Sequence, residues 1–454
     1  MIIVPIFFAV LAAFVAGNIA LLAFYRKRAQ FALNNALIMF FVAALSYIYA
    51  RGYFSVYFGF ISLNPFSVLF MLIFSIGLLL ANMLYYSFAD DYCELAMLGS
   101  ISLIGMYTVA GSTSMVTVFL GLELVSMPMV FSVLLAKRSL EAAAKLFIMA
   151  SVSIALFSFA MALAYGGSGS LALSTNSYSS LLLFAVVLFI AALGFETSVF
   201  PFNVLIPDVY EGAPAYLTGT MGGINKTAGF IALVQILILV FITYRSAFIA
   251  VAVLAVLTMF YGNIAALMQK NMKRLLAYSS ISQAGYILIG IATYTAGGIS
   301  GALFQVFAHM FIFIGMLAII AWLESSNRTD IKDLVGLGSE NRFAAFALSL
   351  FMLSLIGLPF TTGFIGKLLI FLSAAGSGLL WLAVLGIINS IISVYYYARP
   401  MIAIYSHSSH HKKASMPVYA AMVVAICLVI TLVFGIYPQP VINLVTGAAA
   451  HLFM

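Results

Sequence analysis

Apolar stretches of about 20 residues follow one another along almost the whole chain, and this feature restricts the possible folds. A stretch of that length crosses a bilayer as a helix, because a helix satisfies its own backbone polar groups where water is absent. Only 7% of the residues are charged and 65% are hydrophobic, whereas about 25% are charged in soluble domains. The sequence therefore predicts an all-α polytopic membrane protein and excludes a soluble fold.

Polar residues divide the 454-residue chain into about fourteen predicted membrane spans. The first span has its positive charges after the apolar run, so we expect a retained helix rather than a cleaved signal peptide. The longest polar stretches, around 51–66, 166–180, 324–342 and 406–415, are predicted loops. The predicted spans are 3–25, 31–50, 67–88, 95–112, 115–136, 141–165, 181–206, 215–243, 247–268, 276–297, 300–323, 343–372, 377–405 and 416–446.

Most lysines and arginines fall in alternate loops. Short cytoplasmic loops retain these residues, so the odd-numbered loops are predicted to be cytoplasmic and both termini to face the outer side. The same bias explains the net charge of +7 better than nucleic-acid binding, because the longest basic run is Arg26 to Arg28. The basic residues of the odd-numbered loops are Arg26, Lys27, Arg28, Lys137, Arg138, Lys270, Lys273, Arg274, Arg328, Lys332, Arg342, Arg399, Lys412 and Lys413.

Residue types that hold metals or redox clusters are scarce in this sequence. Cys93 and Cys427 belong to no CxxC or Cys/His cluster, so neither a disulfide framework nor an iron–sulfur site has support. His407, His410 and His411 stand beside two lysines and could suggest a metal site, but a solvated cytoplasmic loop is the preferred interpretation. We therefore expect no redox chemistry, metal or cofactor on this chain.

Five charged residues and one histidine lie inside predicted spans. A charge at the bilayer centre costs roughly 2.5–3.5 kcal/mol on insertion scales, so these groups are expected to be paired, hydrated or partly neutral. Such residues usually mark ion or proton pathways. They are Glu123, Lys145, Glu196, Lys226, Lys367 and His309.

Structural explanations also exist for some of these groups. Lys145 lies near the start of its span and can extend to the headgroups, and Glu123 can serve as its counter-ion. His309 can act as a hydrogen-bonding group between helices. Lys226 and Lys367 lie deep within their spans, where a purely structural role has less support.

Helix-breaking residues accompany two of the interior charges. Proline removes a backbone donor and clashes with the preceding turn, so the helices near Glu196 and Lys367 are predicted to be interrupted at membrane depth. Two such interruptions, about five helices apart, point to a transporter built from inverted repeats. The breaking residues are Pro201, Pro207, Gly357, Pro359 and Gly363.

Interior lysines are suited to moving protons. A lysine in a low-dielectric site changes its protonation state readily when a neighbouring charge approaches or withdraws. A row of such groups, joined by water and a histidine, would carry protons. Composition and spacing alone do not identify what drives that transfer.

Six short motifs carry a resemblance to a known family. They are FLGLELVSMP, PDVYEGAP, NMKRLLAYSSISQAGY, GLPFTTGFIGK, VYYYARP and YPQP, spread over roughly residues 95–440. In these motifs the chain resembles the antiporter-like membrane subunits of respiratory complex I, most closely the N-type subunits (the mitochondrial subunit 2 family). PDVYEGAP together with the lysine of GFIGK favours the N-type over the M- and L-type relatives and over cation/proton antiporter subunits.

The resemblance implies a detailed architecture. It implies fourteen core helices, two inverted five-helix repeats, and interrupted seventh and twelfth helices. The chain would then comprise N-terminal transmembrane helices over 1–94, a first repeat over 95–243, a second repeat over 244–405, and a C-terminal helix and tail over 406–454.

The resemblance also implies roles for the interior charges. Glu123 would be the carboxylate of the fifth helix, and Lys145 the lysine of the sixth. Lys226, in GGINKTAGF, would be the lysine of the eighth helix. Lys367 would lie in the twelfth helix at one end of a proton route, and His309 at the eleventh-helix position that links the half-channels.

The seventh helix departs from the family pattern. Where the family usually has a lysine this chain has Glu196, and Asn203 replaces a histidine. Two carboxylates, Glu123 and Glu196, resist ionising together in a low dielectric, so we expect them to share a proton or Glu196 to pair with Lys145 or Lys226. Either Glu196 keeps a relay role with altered polarity, or this half works with fewer relay groups.

The function implied by the resemblance is that of a proton-translocating membrane subunit in a complex I-like pump driven by redox chemistry. Flavin, iron–sulfur clusters and quinone would belong to partner subunits, and the membrane partners would be the M-, L-, K-, A- and J-type subunits. The location would be a prokaryotic cytoplasmic membrane, with NADH, a deazaflavin or ferredoxin as electron donor.

Two alternatives remain open at this point. One is a subunit of a multisubunit cation/proton antiporter or of a membrane-bound hydrogenase, which would use the same residues. The other is a membrane scaffold that has lost transport. The five interior charges argue against a scaffold, because hydrophobic replacements would cost less free energy.

Overall fold

The computed structural model describes residues 27–52, 56–136, 140–173, 179–242, 244–406 and 415–453. These residues are predominantly helical, which confirms the all-α class. The predicted first span 3–25, the basic residues Lys137 and Arg138, and the three histidines of the loop 406–415 lie outside the described residues.

Seventeen helices can be given bounds in the described ranges. All except α7, α12, α13, α14 and α17 are long and apolar enough to cross a membrane, which makes twelve. The total of fourteen spans and the two inverted repeats remain predictions. The helices are α1 (Lys27–Arg51), α2 (Pro65–Phe88), α3 (Tyr92–Ala110), α4 (Met115–Leu135), α5 (Leu140–Ser168), α6 (Ser180–Thr197), α7 (Ile206–Gly212), α8 (Ala215–Val240), α9 (Arg245–Leu267), α10 (Met272–Ala292), α11 (Ala296–Glu324), α12 (Leu337–Glu340), α13 (Arg342–Ile356), α14 (Thr362–Gly376), α15 (Leu380–Tyr405), α16 (Val418–Ile436) and α17 (Gln439–Leu452).

The predicted loop 51–66 contains two short strands, β1 (Val56–Phe58) and β2 (Ile61–Leu63), which pair antiparallel. Asn64 follows the hairpin and begins α2, because its side chain accepts a hydrogen bond from the Ser67 amide at 2.8 Å. A cap of this kind typically stabilises a helix by about 1 kcal/mol. The polar residues of this loop therefore start a membrane helix as well as connecting two of them.

The chain packs as two compact units. The first unit holds the described residues of 1–197, 224–247 and 446–454, and the second holds those of 198–223 and 248–445. The division falls inside α8, so it follows packing rather than helix ends. The four-part division proposed from the sequence remains a prediction.

Helix α11 forms the centre of the second unit. The apolar stretch of α11 is entirely buried. Helices α10, α13, α14 and α16 pack around α11. A helix that is apolar on all sides belongs in such a position, because every face then meets another apolar surface. Polar residues on α11 are consequently held in the interior of the unit.

The predicted span 343–372 consists of two helices, α13 and α14, separated by a turn. Gly357 ends α13 with a left-handed φ of 105°, a conformation that glycine adopts without steric cost. The amides of Gly357 and Leu358 both donate to the carbonyl oxygen of Leu353, at 3.1 and 2.9 Å. Pro359 lies within the turn and continues neither helix.

Gly363 lies in the first turn of α14, so its contribution differs from that of a helix breaker. A Cβ at this position would overlap the carbonyl oxygen of Ser354. The Gly363 amide donates to Ser354 Oγ at 3.1 Å. Glycine is therefore required here because the backbones of α13 and α14 approach closely.

The helix that carries Glu196 ends at Thr197, well before the predicted limit at residue 206. Pro201 lies in the irregular segment that follows. Pro207 lies in the first turn of α7, where proline is tolerated because the first amides of a helix have no intrahelical acceptor. Pro207 thus begins a helix, whereas the sequence interpretation assigned it to an interruption.

Candidate functional sites

Lys367 in α14 is 4% exposed, and its ammonium lies at the end of α13. Nζ donates to the carbonyl oxygens of Leu355 and Ile356 at 2.6 and 3.1 Å, and to Ser390 Oγ at 3.0 Å. The last carbonyls of a helix have no intrahelical donor and carry partial negative charge. The interruption at Gly357 therefore creates the site that holds the ammonium.

The surroundings of Lys367 are polar without being anionic. Its Nζ lies 4.3 Å from the centroid of the Tyr286 ring, a distance suited to a cation–π contact. Among the described residues, no carboxylate forms an ion pair with Lys367. Neutral dipoles hold the charge, so loss of the proton would leave no buried counter-ion behind.

A largely apolar cleft of about 310 Å³ lies beside this lysine. Gly357, Lys367 and Ser390 contribute to its lining. A water molecule occupies about 30 Å³ in the liquid, so the cleft has room for several. Lys367 is thus buried in protein but adjoins a space large enough for water.

Two glutamines join Lys367 to the central helix α11. The Gln283 side-chain amide donates to the Leu355 carbonyl at 3.2 Å, the same oxygen that accepts from Lys367. Gln305 in turn donates to Gln283 Oε1 at 3.0 Å. Gly366 gives this row its space, because a Cβ there would overlap Gln305 Oε1.

His309 lies one helical turn after Gln305 on α11, on the same face. It is 4% exposed, and its ring stacks on Phe313 with centroids 5.1 Å apart. His309, Gln305, Gln283 and Lys367 therefore form a sequence of polar groups inside the second unit. The sequence interpretation included the two ionisable ends and missed the two glutamines.

In the first unit, Glu196 lies next to the end of α6. The Ser153 hydroxyl is a hydrogen-bonding neighbour of its carboxyl group, and the charge of Glu123 acts on it electrostatically. Glu123 is half-buried in α4. Both carboxylates belong to the first unit, and the sharing of a proton between them remains a prediction.

Helix α8 packs directly on Glu196. A Cβ built on Gly229 would lie 3.0 Å from Glu196 Cβ. Lys226 precedes Gly229 by three residues and so lies on the same side of α8, one turn away. It is 3% exposed.

The backbone changes at Lys226. Residues Met221–Asn225 form a π-helical turn, and regular α-helix resumes at Lys226. Such turns are often found at functional sites, where they shift the side chains that follow. The placement of Lys226 therefore depends on a local irregularity that hydropathy does not reveal.

Lys145 has a carboxylate partner on its own helix. Its ammonium lies 2.6 Å from Glu141 one turn earlier, and the two side chains are 26% and 81% exposed. An exposed pair of this type contributes little to stability. This position agrees with the structural explanation for Lys145, and its relay role remains a prediction.

Lys273 and Glu324 form a buried ion pair that the sequence interpretation missed. Lys273 was assigned to a cytoplasmic loop, but it lies in the first turn of α10 with 4% of its side chain exposed, 2.6 Å from Glu324. Lys273 also donates to the Ala213 carbonyl at 2.8 Å, and Glu324 accepts from the Ala215 amide at 2.7 Å. The pair thereby fixes the start of α8.

Arg274 connects two of the sequence motifs. Its guanidinium lies 2.6 Å from Asp208 and 2.9 Å from Glu211, both in PDVYEGAP. Asn271 caps α10 by accepting from the amides of Lys273 and Arg274. Acidic residues in one motif and basic residues in another were the available signal for this contact.

In the described ranges, no group of three or more His, Cys, Asp or Glu residues is placed to hold a metal ion. His407, His410 and His411 lie outside those ranges.

The chain is similar in sequence to a known family of membrane proteins. Residues 112–393 match the profile of the family described as NADH:quinone oxidoreductase/Mrp antiporter, TM. The NADH-quinone oxidoreductase subunit N of Bdellovibrio bacteriovorus is 36% identical over 375 residues, covering 78% of this chain and 77% of that protein.

Solved structures have the same fold. A chain of respiratory complex I from Thermus thermophilus with bound aureothin has a TM-score of 0.85 at 28% identity, with 96% of this chain and 98% of that chain covered. A chain of the Mrp complex from Dietzia sp. DQ12-45-1b has a TM-score of 0.89 at 18% identity, with 98% and 96% covered. The Mrp likeness shows the fold alone.

Proposed function

Because the chain belongs to the subunit N family of NADH-quinone oxidoreductases, we propose that it is a proton-translocating membrane subunit of a complex I-like, redox-driven pump. Its partners are other membrane subunits, of the M-, L-, K-, A- and J-types. Flavin, iron–sulfur clusters and quinone belong to partner subunits, and electrons pass from NADH to quinone outside this chain. The bias of its basic residues supports cytoplasmic odd-numbered loops and outer-side termini.

The environment of Lys367 is the observation that carries the proposal. A permanently charged lysine is expensive to keep at membrane depth unless the site has a use for it. Here helix-end carbonyls, a hydroxyl and an aromatic ring hold the ammonium beside a cleft. These neutral groups tolerate both the ammonium and the amine, as a proton-transfer site requires.

The other interior groups extend the relay. In the second unit, His309 would exchange protons with Lys367 along the row of Gln305 and Gln283, with water completing the steps that the amides do not bridge. In the first unit, Glu123, Glu196 and Lys226 would hold and release protons together. Lys145 would contribute at the start of its helix.

Substitution Lys367→Met in the complete redox complex, reconstituted in proteoliposomes, tests this proposal. Loss of NADH-driven proton translocation is expected, because methionine keeps the length of the side chain and binds no proton. The fold should survive, since the Leu355 carbonyl still accepts from Gln283 and the Ile356 carbonyl from Ser390.

Lys332→Met is the matched control. The Lys332 side chain is 79% exposed, so removal of its charge should leave translocation unchanged. Full translocation in an assembled Lys367→Met complex would contradict the proposed function and favour a scaffold.

A further inference from the structure

A second set of buried polar side chains extends from Lys367 in a direction that the proposed relay does not use. Each member is 0% exposed, although each carries a hydroxyl or an amide group. We name the set the hydroxyl–amide cluster. Its members are Asn263, Ser279, Tyr286, Asn389, Tyr396 and Tyr397.

The cluster begins at Lys367. The lysine ammonium donates to Ser390 Oγ and lies over the Tyr286 ring. The Tyr286 hydroxyl is buried and makes no direct hydrogen bond to the described residues, and the side chains of Ser390 and Asn263 are among the polar groups near it. A water molecule beside this hydroxyl would lead from the lysine site to the amide of Asn263 on α9.

From Asn263 the cluster continues along α15. The Tyr396 hydroxyl donates to Asn263 Oδ1 at 2.9 Å, and the Asn263 amide donates to the Asn389 carbonyl at 2.7 Å. The rings of Tyr396 and Tyr397 are 4.4 Å apart. The Tyr397 hydroxyl is hydrogen-bonded to Ser279 on α10.

The direction of the cluster follows from helix geometry. Seven residues separate Ser390 from Tyr397, and a helix rises about 1.5 Å per residue, so the cluster extends about 10 Å along α15. Two residues beyond Tyr397, Arg399 donates to the carbonyl of Leu267, the last residue of α9. The cluster thus leads from Lys367 to the end of the helices where the short loop 268–271 lies.

Two atoms of the cluster have an unmet hydrogen-bonding capacity, and one of them is the Tyr286 hydroxyl oxygen. Asn389 Nδ2 is buried and has no hydrogen-bond acceptor among the described residues. A buried donor left in that state costs roughly 1–3 kcal/mol, and ordered water usually satisfies such groups. Tyrosine and serine hydroxyls both donate and accept, so with water they can pass a proton without ionising.

We propose that the hydroxyl–amide cluster binds water and provides a proton path between Lys367 and the loop 268–271. The inference rests on the proposed function, since it makes Lys367 the group that the path serves. Interhelical hydrogen bonding alone would account for one or two buried polar residues. Six members lie on three helices beside an ammonium, and the two unsatisfied buried groups among them leave places where water would complete a route.

The double substitution Tyr396→Phe and Tyr397→Phe removes two hydroxyls from the cluster and keeps both rings. The initial rate of redox-driven proton translocation should fall roughly tenfold. Loss of a positioned proton-transfer group has a larger effect, but here water can partly take the place of the two hydroxyls. Tyr395→Phe is the matched control, since Tyr395 is on the same helix and 65% exposed; its rate should equal that of the unmodified complex.

An unchanged rate in the assembled double variant overturns the inference. If that variant fails to assemble, Asn389→Cys decides the question by its reaction with methanethiosulfonate ethylammonium, a charged water-soluble thiol reagent. Labelling many-fold above Leu382→Cys, a 0% exposed apolar position two turns earlier on α15, supports water in the cluster. Equal labelling of the two cysteines overturns it.

The outcomes also separate this inference from the proposed function. Loss of translocation in Lys367→Met, together with full translocation in the tyrosine double variant, rejects the path and keeps the function. Full translocation in Lys367→Met rejects the function itself, and the path with it.

Discussion

The two deeply buried lysines at the predicted sites are held in different ways. Lys367 is bound by helix-end carbonyls, a serine hydroxyl and a tyrosine ring, all of them neutral. Lys226 lies one turn from the point where α8 packs on Glu196. The Glu196 carboxyl group interacts electrostatically with Glu123. Fixed dipoles hold Lys367, whereas Lys226 lies one helical turn from a carboxyl group that can titrate.

This difference has a consequence for how each site handles protons. Dipoles of the backbone do not change with protonation, so the affinity of Lys367 for a proton depends on what approaches from the cleft or from Gln283. If Glu123 and Glu196 share a proton, as the sequence predicts, the first unit would titrate as a coupled set whose proton positions belong to the group.

Glu196→Gln tests the coupled site most strongly. The amide keeps the shape of the side chain and cannot release a proton, so proton translocation in the complete complex should fall about a hundredfold if Glu196 is a relay group. The measurement is the initial rate of redox-driven proton translocation. Full retention of that rate would remove Glu196 from the pathway and leave a first unit with fewer relay groups.

Two glycine substitutions compare the packing of the sites. Gly363→Ala should destabilise the complex by about 2 kcal/mol or more, because its Cβ would meet the Ser354 backbone. Gly229→Ala should destabilise the complex less, because the closest contact, 3.0 Å from Glu196 Cβ, requires a shift of only a few tenths of an ångström and alanine favours the helix. Thermal unfolding of the purified complex measures both, and equal destabilisation would contradict the structural difference.

Lys145→Gln should have the smallest effect. Its pair with Glu141 is partly exposed, so stability should change by less than about 0.5 kcal/mol. Translocation measured in parallel separates the two explanations for Lys145. A rate equal to that of the original complex supports headgroup contact alone, whereas a large decrease would support the relay role.

Much of the architecture follows from the sequence because the bilayer imposes strong rules. Span length and polarity identified twelve described membrane helices to within a few residues at most ends. Gly357 and Pro359 correctly indicated that the predicted span 343–372 is interrupted. Glycine readily adopts the left-handed conformation that ends a helix, and proline disrupts a helix interior. The positions of the interior charges were visible because such residues are rare in apolar helices.

Other features depend on partners that a single helix cannot show. The sequence pattern assigns Lys273 to a loop. The structure shows that α10 packs beside the end of α11, where Lys273 forms a buried ion pair with Glu324. Gln283 and Gln305 are uncharged, so the search for charged residues in apolar spans does not identify them. Their hydrogen bond in the structure shows that they form a row. Gly363 appeared to break a helix, whereas the structure shows that it allows two backbones to touch.

Proton translocation by the complete complex carrying Lys226→Met is the most direct test of the central claim that both lysine sites move protons. Lys226→Arg should be measured beside it, since it retains a charge that does not leave at physiological pH. We predict that both variants assemble and lose redox-driven translocation, because neither can take up and release a proton at this position. Normal translocation by an assembled Lys226→Met complex would contradict the account and leave Lys367 as the one of these two buried lysines that carries protons.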